Sequence, residues 1–266
     1  MKFGIFVHPR RPKVTVEEVK RKLQSADLEY SRTSPDAGVV VGGDGTFGFY
    51  GRTLDIPLLF VGVEEPGFLG SRARLAQVKL GELEDCLRLI KAGRYSVVEK
   101  GMLHVGFRGR YFDVLTDIFL ERVAFAGCMR YTVSVFRRGA LKFKEYAIGN
   151  GIVISTSFGS TGYYSYPDRL IGRIANNIKG FSEGKIGVCH IIPMHLVRER
   201  NGESRLYKKV KYTIPFHSTH IRINLERDTK THLFGINTHS EGIRLNHGDT
   251  VTIEGSKKKA RLIEVC

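Results

Sequence analysis

An α/β N-terminal domain built on a parallel sheet, followed by a mainly β, sandwich-like C-terminal domain, is the fold class that this 266-residue sequence predicts. Three observations predict it. Up to about Tyr95, short apolar runs alternate with amphipathic stretches, the pattern of strands and helices layered on a parallel sheet. Beyond Tyr95 the apolar residues fall into short period-two segments, as in Thr132-Val133-Ser134-Val135, separated by Gly, Asn, Asp or Ser. Thirty glycines exceed the usual share of ~7% and call for many turns. The domains are placed at 1–94 and 95–266, with the last residues expected to return to the first domain.

The elements follow in order. Phe3 to Val7 reads as a strand, Val14 to Gln24 as an amphipathic helix, Val39 to Val41 as a buried strand, Phe47 to Leu54 as a short helix and Pro57 to Val63 as a strand. Leu75 to Lys91 reads as a helix, with Leu80, Leu83, Leu87 and Ile90 on one face and Gly93 as its stop. The second domain is expected to hold strands at 102–107, 111–120, 132–136, 147–155, 187–192, 221–225, 232–236, 251–254 and 260–265, interrupted by a helix over 168–178. No internal repeat, low-complexity tract or flexible linker is present.

Composition narrows the function classes. A hydrophobic share of 42% with 10% aromatics is that of a globular protein with real cores. The five-residue apolar stretch after Lys2 is too short for a secretory signal, and no apolar run reaches 18 residues, so the expectation is a cytoplasmic protein without a membrane span. Cys86, Cys128, Cys189 and Cys266 lie far apart, which suits reduced thiols rather than zinc or redox chemistry. His190, His195, His217 and His220 show no metal-ligand pattern either. The net charge of +15 calls for an anionic partner. Its basic residues are scattered instead of forming one stripe, which argues for a phosphorylated small substrate over nucleic acid.

Two stretches carry chemistry. Gly42-Gly43-Asp44-Gly45-Thr46 follows the Gly38 to Val41 run, at the C-terminal end of a strand where α/β folds gather ligands. Glycines there permit a sharp turn through positive φ and leave bare N–H groups facing an anion, and a helix beginning with Thr46 as N-cap adds its positive end. A carboxylate repels phosphate. Asp44 is therefore expected to bind a metal, a ribose hydroxyl or a hydroxyl about to attack phosphorus. An Asp-Gly hairpin would need a second strand at once, and Phe47-Gly48-Phe49-Tyr50-Gly51 is a poor one. The second stretch, Gly149 to Tyr163, is a buried strand entering a hydroxyl-rich turn. Ser155, Thr156, Ser157, Ser160 and Thr161 offer short donors, and Tyr163 offers a ring and a phenol, as a nucleotide's sugar and base require.

Together these stretches resemble the NAD kinase family, which phosphorylates the adenosine 2′-hydroxyl of NAD. The resemblance rests on Gly42 to Thr46, on Gly67-Phe68-Leu69 after Gly62, on Ser155-Thr156 with Gly159-Ser160-Thr161-Gly162-Tyr163, and on the closing segment Ile236 to Ile253 with Gly248-Asp249. It implies that Asp44 is the general base and that Gly42, Gly43, Gly45 and Thr46 hold the phosphates of ATP or polyphosphate, with Mg²⁺ as cofactor. It further implies that Phe68, Thr116, Asp117, Asn150, Ser155, Thr161, Gly162, Tyr163 and Ser165 bind NAD, and that the chain forms a homodimer or homotetramer through the sandwich.

The chain departs from the family on the substrate side. Thr116-Asp117 stands where the family has Asn-Glu, Asn150-Gly151 where it has Asp-Gly, Ser155-Thr156-Ser157-Phe158 where it has Ser-Thr-Pro-Thr, and Glu64 or Glu65 where an Asn precedes Gly-Phe-Leu. Three other readings use the same residues. Gly43-Asp44-Gly45-Thr46-Phe47-Gly48 satisfies G-x-G-x-x-G with Glu64 about 20 residues on, which suggests a Rossmann oxidoreductase, but Asp44 would then face a pyrophosphate. A lipid kinase shares the Asp44 loop. A catalytically divergent NAD or NADP-binding protein would account for the substrate-side departures.

Overall fold

The computed structural model describes residues 1–8, 14–63, 73–123, 127–170, 178, 180–227, 230–236 and 242–265. The chain forms two compact units, Met1–Lys100 with Lys259–Cys266, and Gly101–Lys258. Both crossings between units fall inside strands.

In the first unit, β1 (Lys2–Val7), β2 (Glu29–Tyr30), β3 (Ala37–Gly42), β4 (Leu58–Gly62) and β5 (Val78–Lys79) make a parallel sheet ordered β2-β1-β3-β4-β5. Its helices are α1 (Val16–Ser25), α2 (Asp44–Thr53) and α3 (Leu83–Lys91). Thr15 caps α1 by accepting the Glu18 N–H at 3.2 Å, with Glu17 and Glu18 at the positive end. Strand side chains alternate between faces. Val39, Val41, Leu59 and Val61 join Val19 and Leu23 of α1 and Leu83, Leu87 and Ile90 of α3 in one core. Phe60, on the opposite phase, stacks on Phe47 of α2 with ring centroids 4.7 Å apart. Both faces of the sheet are therefore covered, as parallel sheets require.

The predicted helix from Leu75 is corrected to a helix from Leu83. Residues ahead of it add to the sheet: the Gln77 N–H donates to the Phe60 carbonyl at 3.0 Å, and its side-chain oxygen accepts the Phe60 N–H at 2.7 Å. A 3-10 turn over Leu80–Glu82 then leads into α3. These two sheet-edge bonds outweigh the helical pattern of Leu80 and its successors.

The second unit holds two antiparallel sheets. Its strands are β6 (Tyr95–Phe107, entering from the first unit), β7 (Arg110–Val114), β8 (Asp117–Arg122), β9 (Met129–Arg137), β10 (Ala140–Gly149), β11 (Gly151–Ser155), β12 (Lys185–Ile191), β13 (His195–Arg200), β14 (Glu203–Leu206), β15 (Lys211–Pro215), β16 (Thr219–Arg227), β17 (Thr231–Phe234), β18 (Ile243–Leu245) and β19 (Thr250–Val265). One sheet runs β14-β13-β10-β9-β16-β19 and the other β15-β12-β11-β8-β17-β18. Inward residues of both, among them Leu120, Val133, Ile152, Val188 and Ile223, form one core, which is the sandwich arrangement. The last residues of β19 belong to the first unit, where Leu262 pairs with Leu58 and Ile263 is fully buried.

Two single strands of the sequence reading are pairs. The run 111–120 divides into β7 and β8, and the run 147–155 divides at Asn150. Gly151 has φ +157°, and a Cβ there would overlap the Leu120 carbonyl oxygen, so the chain changes sheets through a residue that only glycine fits. Of the expected helix over 168–178, α4 (Tyr166–Leu170) is present; residues 171–177 lie outside the described residues.

Candidate functional site

The first unit supplies the Asp44 loop. Strand β3 is buried throughout and ends at Gly42, and α2 starts two residues later, with Gly43 as N-cap in extended conformation (φ −109°, ψ 179°). Thr46 is therefore not the cap. It is the third residue of the helix, and its N–H donates to the Gly43 carbonyl at 2.9 Å. Gly42, Gly43 and Gly45 are also absent from the positive-φ positions, so the turn does not use the conformation expected of them. Close approach explains Gly42, where a Cβ would stand 2.7 Å from Thr46 Oγ1. Among the described residues a Cβ on Gly45 would meet nothing within 4 Å, and the residue is exposed. That leaves open space beside the first turn of α2, where helix N–H groups lack partners and an anion is favoured.

Asp44 opens the helix. Its Oδ1 accepts the Leu75 N–H at 2.9 Å. Burial pushes its carboxyl above the usual carboxylate range, opposed by the Leu75 N–H and by the charge and backbone N–H of Arg74. Tyr50 ties α2 to the end of β1 by donating to the Val7 carbonyl at 2.9 Å. The loop is thus fixed from both sides. Among the described residues no three His, Cys, Asp or Glu side chains converge on a metal position. Phe68 lies outside the described residues, as do Glu64 and Glu65.

The second unit brings Thr116, Asp117, Ser155, Thr161, Gly162, Tyr163 and Ser165 into one neighbourhood. Ser155 pairs with Asp117 across β11 and β8. Gly159 packs so closely on Thr116 that a Cβ would overlap the Thr116 backbone, and a Cβ on Gly162 would stand 3.7 Å from Asp117 Oδ2. The Asp117 carboxylate therefore lies over the bare face of Gly162. Desolvation pushes its pKa up to about 6, against a lowering hydrogen bond from the Thr116 side chain.

The hydroxyls of this turn are mostly not available to a ligand, which corrects the sequence reading of them as donors. Ser155 donates to the Thr156 carbonyl at 2.9 Å, Thr156 to the Leu115 carbonyl at 2.6 Å, Ser160 to the Ser157 carbonyl and Ser165 to the Gly162 carbonyl at 2.7 Å. All four are buried, so each needs a local partner. They build the turn that presents Thr161, Gly162 and Tyr163, which remain partly or fully exposed. Tyr163 donates to Glu121 at 3.2 Å and meets Phe119 edge-on at 5.2 Å, while Phe119 stacks on Phe234 at 4.8 Å. Asn150, at the corner of β10 and β11, is held by its own backbone: its N–H donates to Ile191 at 2.9 Å and its carbonyl accepts from Arg122 at 3.2 Å.

Sequence reasoning missed two groups. The helix expected from Leu75 gave no sign that the Leu75 N–H, with that of Arg74 before it, holds Asp44. The pairing of Glu145 with His190, both fully buried and 3.0 Å apart, was missed because the strand that carries Glu145 was expected to begin only at Ala147. A charged residue on the inward phase of a longer strand was the signal that would have found them.

No protein-family model matches the chain. The NAD kinase of Magnetococcus marinus is 31% identical over 168 residues, which cover 58% of this chain and 52% of that protein. That of Clostridium kluyveri is 26% identical over 243 residues, or 89% and 75% of the two chains. The chain thus spans about half the length of the first relative. Among solved structures, an NAD kinase from Archaeoglobus fulgidus in complex with ATP has a TM-score of 0.65 at 16% identity, covering 100% of this chain and 94% of its own. Yeast NADH kinase complexed with NADH has a TM-score of 0.63 at 18% identity, covering 100% and 84%. At these identities the structural likeness is one of fold.

Proposed function

We propose that this chain, a member of the NAD kinase family, transfers a phosphoryl group from ATP or polyphosphate to the adenosine 2′-hydroxyl of NAD, forming NADP. The observation that carries this reading is Asp44 itself: a carboxylate held by the Leu75 N–H at the mouth of a helix whose neighbouring Gly45 is exposed and, among the described residues, faces open space. Phosphoryl transfer asks for alignment and charge neutralisation more than for a strong base. Asp44 orients the attacking hydroxyl and receives its proton, and its upward-shifted pKa makes it a better proton acceptor than an ordinary carboxylate. Gly42, Gly43, Gly45 and Thr46 form the wall along which the donor's phosphates lie.

Mg²⁺ would come with the donor, held mainly by its phosphate oxygens and waters, and would neutralise phosphate charge there. In the second unit, Asp117, assisted by Thr116, receives ribose or amide hydrogens, and Asn150 adds a neutral amide. Thr161, Gly162 and Tyr163 border the adenosine, with Phe68 against the nucleotide. Ser155 and Ser165 serve by shaping that border rather than by donating to the ligand. We place the protein in the cytoplasm as a homodimer or homotetramer built through its second unit, which light scattering of the purified protein tests.

Purified protein incubated with NAD, Mg²⁺ and either donor forms NADP, detected by an NADP-specific dehydrogenase. Absence of NADP with both donors sinks the reading.

A further inference from the structure

Five polar side chains close on one another inside the second unit, and the chemistry proposed above uses none of them. Glu145 and His190 are each fully buried. Glu145 Oε1 accepts two N–H bonds from Arg198, at 3.0 and 2.7 Å, and its Oε2 meets the Tyr212 hydroxyl at 2.6 Å and His190 Nε2 at 3.0 Å. Arg198 is itself packed among aromatic rings, with its guanidinium carbon 3.6 Å from the centroid of Tyr207 and 4.0 Å from that of Phe143. On the far side of the imidazole, His190 Nδ1 lies 2.8 Å from the Tyr131 hydroxyl, which is also 2.7 Å from the Gly151 carbonyl.

A proton count assigns the donors. Each of these contacts is too short for two lone pairs, so each must hold one hydrogen. A carbonyl has no proton, so the single hydrogen of Tyr131 points at Gly151. The Tyr131–His190 contact must then be filled from Nδ1. The His190–Glu145 contact is filled from Nε2, because burial alone would raise the Glu145 carboxyl but the hydrogen bond and charge of His190, the Tyr212 hydroxyl and Arg198 together hold it below its ordinary range.

This network leads to the nucleotide segment by two routes. Tyr131 holds the carbonyl of Gly151, the residue after Asn150. The His190 carbonyl accepts the Tyr166 hydroxyl at 2.7 Å, that oxygen accepts the Ile192 N–H at 3.0 Å, and the Tyr166 ring lies 6.0 Å from that of Tyr163.

We propose that Glu145 and His190 are a buried positioning pair for nucleotide binding, with His190 donating from both ring nitrogens and acting through Tyr131 on the Asn150–Gly151 corner and through Tyr166 on Tyr163. The proposal rests on the reading that these last residues border NAD. Nitrogen NMR of the protein labelled in its histidines is expected to show both ring nitrogens of His190 protonated in the folded state; a singly protonated ring overturns the assignment. Calorimetric titration is expected to show Tyr131→Phe binding NAD about tenfold more weakly, as a displaced contact group does, with ATP affinity unchanged. Tyr166→Phe is expected to act in the same direction. A merely structural role would move both ligands or neither. Unchanged NAD affinity in both variants overturns the positioning role, whereas a wild-type protein that binds no NAD overturns the NAD reading beneath it.

Discussion

The backbone N–H of Leu75 donates to Asp44 Oδ1 at 2.9 Å, from the stretch that runs ahead of β5. Asp44 is thus oriented by a backbone group from outside its own loop.

Asp44→Asn is expected to lower NADP formation by about 10²- to 10⁴-fold, the range for a lost proton acceptor. The fold should not suffer. A carboxyl whose folded pKa is raised contributes stability below its unfolded pKa and loses it as pH rises through the folded pKa, so at neutral pH the ionised group opposes folding. Thermal unfolding at pH 7 should therefore show a melting temperature equal to or above that of the wild type.

Asp117 gives the same effect a defined window. Its pKa rises from 3.8 to about 6 in the folded chain. Relative to Asp117→Asn, the wild type should lose stability between about pH 4 and pH 6 and stay level above that. Urea titrations of both proteins across this range measure it, and a difference that does not change with pH would refute the assignment.

Two glycines should behave oppositely. Gly45→Ala enters open space inside a helix, where alanine is favoured by up to ~1 kcal/mol, so the protein should be at least as stable while donor affinity falls. Gly151→Ala puts a Cβ into the Leu120 carbonyl and should cost at least about 2 kcal/mol. Chemical denaturation together with titration of ATP separates the two outcomes.

Arg198→Met leaves Glu145 buried without its guanidinium partner and should destabilise the second unit by about 3–5 kcal/mol. Replacing Glu145 by Gln in the same protein should recover part of that loss. Urea unfolding of the single and double variants reads the recovery directly.

Local signals made some parts of this structure legible. The all-buried β3 and the stop at Gly93, which has φ +75°, are written in neighbouring residues, whereas the cap at Thr15 fell inside a helix expected from Val14. The Asp44 loop and the turn before Tyr163 were visible for the same reason. What sequence periodicity did not reveal was decided at a distance. Gln77 bonds to Phe60 and turns an expected helix into a sheet edge, and Glu145 finds His190 forty-five residues on. The hydroxyls after Ser155 show a further limit, because composition shows donors and only the folded turn shows that they bond to its own carbonyls.

Strand β19 leaves the second unit at Lys258 and supplies Leu262 and Ile263 to the first. On the ribosome, the parallel sheet of the first unit consequently lacks this strand until residues 259–265 have emerged. Domains usually fold as units in order of synthesis, but here the unit synthesised first is the one that must wait.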